Sequence, residues 1–129
     1  MADNKEAVKS ASIVLVVNKQ NNISALTKKE VIDIYMGRFK TFPNGQAAIP
    51  IDFPQGSSEK RQFYKRLVGK DERKIKAYWS RLLFSGRAKP PAEVEPEKNL
   101  IALVSKEVDV LAYMRSSSVT PEMKIVYAF

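Results

Sequence analysis

Apolar positions along the chain change period from stretch to stretch, and each period predicts an element. Residues 1–12 are polar and read as a flexible N-terminal segment. Ile13, Val14, Leu15, Val16 and Val17 form an unbroken apolar run, mostly β-branched. Such a run predicts a strand buried on both faces, as in a parallel or mixed sheet. A polar loop over 18–22 follows. The next helix is specified at both ends. Thr27 and Glu30 form a capping box, Leu26 and Val31 a hydrophobic staple, and Gly37 stands where a left-handed residue ends a helix. Val31, Ile34 and Tyr35 share one face, so the spacing predicts a helix over 28–36.

Phe42-Pro43-Asn44-Gly45 carries turn chemistry, and residues 48–53 read as a strand with Pro50 near an edge or a strand start. Phe63, Tyr64, Leu67 and Val68 give helical spacing over 58–68, closed by Gly69. Asp71 caps a further helix whose stripe is Ile75, Tyr78, Trp79, Leu82 and Leu83, closed by Gly86. Lys89-Pro90-Pro91 is a stiff connector. A short helix over 96–105, a strand over 108–114, a serine loop at 116–118 and a strand over 124–129 complete the chain. The order β-α-β-α-α-α-β-β predicts an α/β fold: a three-layer α/β/α sandwich around a small mixed sheet, one domain over 13–129.

Composition narrows the chemistry. Lys and Arg number 22 against 14 Asp and Glu, a net charge of +8, which favours anionic partners. The basic residues are spread along the chain rather than clustered with aromatics, which argues against nucleic acid. With neither Cys nor His, the chain has no disulfide, no thiolate or imidazole metal site and no His-based triad. No apolar run reaches membrane-spanning length. The first residues hold no signal-peptide core, so an exported protein would have lost its signal.

The stretch with the most chemical content runs from Ile49 to Val68. A short strand meets Pro54-Gln55-Gly56-Ser57-Ser58 and then a helix. A helix N-terminus presents unpaired N–H groups and partial positive charge, so Gly56, Ser57 and Ser58 are candidates for holding an anion or for simple capping. Asp52, at the strand end, is a candidate ligand contact or loop cap. Arg61, with Lys60 and Lys65, can supply charge or form a solvated face. Asp33, Asp52 and Asp71 lack metal-loop spacing, and nothing marks a nucleophile. The sequence therefore assigns no catalytic residue, no metal and no cofactor.

The run from Ile13 to Asn18 is followed by Leu26-Thr27-Lys28-Lys29-Glu30-Val31-Ile32-Asp33-Ile34-Tyr35-Met36-Gly37-Arg38. Phe42, Asn44-Gly45, Gly56-Ser57, Phe63-Tyr64 and a late strand with Tyr113 come after it. In order and spacing this resembles the second lobe of the periplasmic phosphate-binding proteins of ABC importers. The segment from Ala77 to Arg87, with Pro90-Pro91, looks like a short, single-lobe branch. The resemblance implies a type II periplasmic-binding-protein-like fold, an exported location, and a phosphate-holding loop at Gly56-Ser57-Ser58. It is incomplete at that loop: Phe53 stands where the family has arginine, Gln55 where it has aspartate and Glu59 where it has threonine. The resemblance implies a non-enzymatic, solute-binding-like protein that holds phosphate or another small oxyanion weakly, linked to an ABC phosphate importer. The alternative is a lobe without ligand that contacts a protein partner in the cell envelope.

Overall fold

The computed structural model of the chain describes residues 12–129, so the expected flexible segment lies, except for Ser12, outside the described residues. The apolar run forms β1 (Ile13–Asn18), and every one of its residues is buried. It is followed by α1 (Lys28–Tyr35), β2 (Ile49–Asp52), α2 (Ser58–Val68), α3 (Glu72–Phe84), β3 (Ala92–Glu93), α4 (Glu97–Lys106), β4 (Val110–Arg115) and β5 (Met123–Ala128). A single 3₁₀ turn, Ser116–Ser118, joins β4 to β5. The strands form one five-stranded mixed sheet in the order β3-β2-β4-β1-β5. β1 runs antiparallel to both neighbours, β4 and β5, while β2 runs parallel to β4 and β3.

The three layers follow from side-chain alternation. Leu15 pairs with Tyr113 across β1 and β4, and the Tyr113 ring stacks on Phe63 of α2 at 3.8 Å between centroids. Asn18, of opposite parity on β1, points to the other face, where its amide donates to the Val104 and Ser105 carbonyls at the end of α4. So α2 and α4 cover opposite faces, which is why β1 reads as apolar without alternation. Between α1 and the sheet, the fully buried Tyr35 directs its hydroxyl at the carbonyls of Ile51 (2.9 Å) and Leu111 (3.1 Å).

Two features depart from the sequence reading. The Pro-Pro connector runs straight into β3, a two-residue strand that pairs with β2 at Ile51 and Asp52. Its residues are too few to show a period, and both are exposed. β2 is therefore interior, and Pro50 is tolerated because β3 begins pairing only one residue later. The α3 stripe also ends early: Ile75 and Trp79 are buried, but α3 packs chiefly on α2, and Leu83 in its last turn is 53% exposed. The other boundaries shift by one or two residues.

Gly37 shows how tightly α1 meets α3. Its φ is +80°, and a Cβ there would stand 2.9 Å from Cη2 of Trp79. Gly37→Ala adds left-handed strain to overlap with a buried ring, so urea unfolding should show a loss of about 2–3 kcal/mol. Gly45→Ala, with φ +89° and nothing within 4 Å, should lose only about 1 kcal/mol.

Candidate functional site

The C-terminal end of β2 carries the most polar cluster of the interior. Asp52 is 2% exposed. Its carboxylate accepts from the Tyr64 hydroxyl at 2.9 Å and from the Tyr113 hydroxyl at 2.5 Å. The Tyr113 oxygen accepts in turn from the Phe53 amide at 3.1 Å. Lys60 Nζ, on a side chain only 12% exposed, lies 3.8 Å from Asp52 and 2.9 Å from Glu93 of β3. Burial pushes the Asp52 carboxyl up from 3.8 to about 6, against the opposing pull of Tyr113, Lys60 and Tyr64. Burial, with the Asp52 charge nearby, also pushes the Tyr64 and Tyr113 hydroxyls well above their ordinary range. Both tyrosines stay protonated at neutral pH and act as donors.

Directly after this cluster the chain turns through Pro54-Gln55-Gly56 into α2. Gly56 has φ +86°, which a side chain would resist, and its amide donates to both carboxylate oxygens of Glu72 at 3.1 Å. The Ser57 amide closes the turn on the Pro54 carbonyl, and its hydroxyl caps α2 by accepting from the Lys60 amide. Ser58 Oγ accepts from the Arg115 guanidinium at 2.9 Å, and Arg115 Nε lies 3.4 Å from Glu59. Arg61 reaches back to the Gly56 carbonyl at 2.7 Å. The Ser58 and Glu59 amides, first in α2, have no acceptor among the described residues.

Of the sequence candidates, Gly56, Ser57, Ser58 and Arg61 converge on the first turn of α2. Asp52 does not join them: it lies beneath α2 with its carboxylate turned to the two tyrosines. Ser57 serves the helix as its cap, and Lys65 is exposed without a partner at the loop. Lys60, an open candidate for a solvated face, is largely buried between Asp52 and Glu93.

Three participants were not legible in the sequence. Arg115 arrives from the end of β4, 57 residues from Ser58. Glu72, a first-turn acid of α3, also fills the Gly56 amide from outside the loop. Tyr113 was seen as a strand residue, with nothing to reveal its hydroxyl contact to Asp52. Only the packing of β2 between β3 and β4 brings these groups together.

The arrangement can offer an anion two free amides and two guanidinium groups, but it is not a strong positive trap. Lys60, Arg61 and Arg115 are matched by Asp52, Glu59, Glu72 and Glu93. Any external oxyanion competes with Glu72 and Glu59 for donors.

Several solved structures share the fold. An ABC-type phosphate transport receptor from Vibrio cholerae superimposes with a TM-score of 0.69 at 17% identity, covering 89% of this chain and 45% of that chain. A phosphate ABC transporter substrate-binding protein from Clostridium perfringens, solved with bound phosphate, gives 0.69 at 18% identity over 98% of this chain and 51% of that one. A possible phosphate-binding protein from Planctomyces limnophilus gives 0.67 at 13% identity over 97% and 47%. The chain thus has the α/β fold of one lobe of such proteins and spans about half their length. No family model matches the chain, and no curated protein matches it in sequence. Among the described residues, no helix is long and apolar enough to cross a membrane.

Asp52 makes stability depend on pH in a defined direction. Its folded pKa lies above its unfolded one, so its contribution is fully present below about pH 3.8 and is lost as pH rises through about 6. Comparing urea unfolding of wild type and Asp52→Asn at about pH 4 and about pH 7, wild type should lose up to about 3 kcal/mol relative to the variant. A constant difference between the two proteins would show that the carboxyl is not perturbed.

Proposed function

We propose that this chain is a solute-binding-like protein rather than an enzyme, and that it holds a small oxyanion of the phosphate type, weakly, at the first turn of α2. The observation that carries the reading is the pair of open Ser58 and Glu59 amides, flanked by the guanidinium groups of Arg61 and Arg115. The fold shared with phosphate transport receptors supports it. On this reading the protein is exported and works beside an ABC importer. Binding is weak because Glu72 already occupies the Gly56 amide.

A second reading has its own support. With Glu72 on Gly56 and Glu59 beside Arg115, the loop carries internal carboxylates where an anion would sit. A lobe filled in this way serves as an interaction module for a protein of the cell envelope. No nucleic-acid role follows from either reading.

Calorimetry at low salt distinguishes them. The first reading expects saturable heat with phosphate or sulfate and a dissociation constant on the order of millimolar. Glu72→Gln, which removes the competing charge, should tighten phosphate about fivefold. No heat at millimolar anion, in wild type and in Glu72→Gln, would reject oxyanion binding and leave the interaction module.

A further inference from the structure

A groove of about 740 Å³ opens away from the α2 loop, at the other end of β2, between Ile49-Pro50, α1, the last turns of α3 and the Pro-Pro connector. α3 links the two regions: Glu72 at its start reaches Gly56, while Trp79 and Leu83 near its end line the groove.

Exposed apolar surface gathers here. Of the five large hydrophobic side chains that stand exposed among the described residues, Phe39, Ile49 and Leu83 line the groove, and Phe84, 97% exposed, is Leu83's neighbour in the chain. Scattered single residues of this kind need no explanation, but a cluster beside a cavity does. The charged residues of the lining are all cations, Lys40, Arg87 and Lys89, with no carboxylate among them. Acids of neighbouring segments are committed: Glu30 to the Thr27 amide, Asp33 to Lys29 and Arg38, and Asp109 to the Gln46 side-chain amide.

We infer that this face docks on an anionic lipid surface, with Phe84, Leu83 and Phe39 entering the apolar boundary and Lys40, Arg87 and Lys89 meeting the headgroup phosphates. The charge pattern selects this occupant. A second copy of the chain would bring another net charge of +8 against the cationic rim. A small anion would leave Phe84 in water. A bilayer with anionic headgroups covers the protruding apolar side chains and pairs the cations in one contact.

The chain has one tryptophan, Trp79, and it lines the groove, so its fluorescence serves as a probe of this face. The test adds vesicles of phosphatidylcholine, with and without roughly one third phosphatidylglycerol, and follows Trp79 emission with co-sedimentation. The expected result is binding to the anionic vesicles only, a Trp79 spectral change, and weakening as salt rises. Lys89→Gln and Arg87→Gln should each weaken binding about fivefold. Phe84→Ser, at a site too exposed to affect folding, should weaken it at least about tenfold. The inference is overturned by equal binding to neutral vesicles, by no binding, or by binding indifferent to Phe84→Ser. No vesicle binding would turn the face over to an acidic protein partner. Displacement from vesicles by millimolar inorganic phosphate would also overturn it, because attachment would then run through the α2 loop.

Discussion

One buried carboxylate sets the geometry of the end of the fold where β2 meets α2. Asp52 ends β2, and the hydroxyls that satisfy it come from α2 (Tyr64) and β4 (Tyr113). A charge taken out of water is tolerated only with such partners, so the three elements are fixed relative to one another by a single group. Tyr113 extends the effect: it stacks on Phe63 and accepts from the Phe53 amide, which leads into the loop. Lys60 ties the same centre to Glu93 on β3, giving a two-residue edge strand a side-chain anchor beyond its ladder. The loop before α2 is held from beneath by these contacts.

That rigidity explains the chemistry above it. The turn presents Gly56, Ser57 and Ser58 at the entry to α2, and the chain supplies its own carboxylates there. Glu72 takes the Gly56 amide, and Glu59 sits with Arg115. Internal carboxylates pay no translational cost to reach the site, so an external anion must offer more than they do. The amides without an acceptor among the described residues are those of Ser58 and Glu59, while Arg61 and Arg115 are engaged at the rim. On the proposed reading the loop is a site with internal competition, and Glu72 governs its affinity as much as the groups that would face the ligand.

How much of this was legible depended on the range of the interaction. Local signals were read directly: the Thr27–Glu30 capping box, the Ser57 and Asp71 caps and the unbroken run of β1 all appear where the sequence places them. The α/β/α layering followed from the order of elements. Contacts across the chain were hidden. Arg115 and Ser58 are 57 residues apart, Tyr113 and Asp52 are 61, and no period or spacing connects them. β3 was missed because two exposed residues carry no pattern. Spacing places Leu83 on the apolar face of α3, but it does not show how much of that face is covered.

The account rests on the claim that the first turn of α2 is an anion site held in competition by Glu72. Amide proton and nitrogen shifts of Gly56, Ser58 and Glu59, followed during a phosphate titration of wild type and Glu72→Gln, test this most directly. Saturable shifts at all three amides, reached at lower phosphate in the variant, are the predicted result. Shifts confined to other residues, or the same response in both proteins, would contradict it.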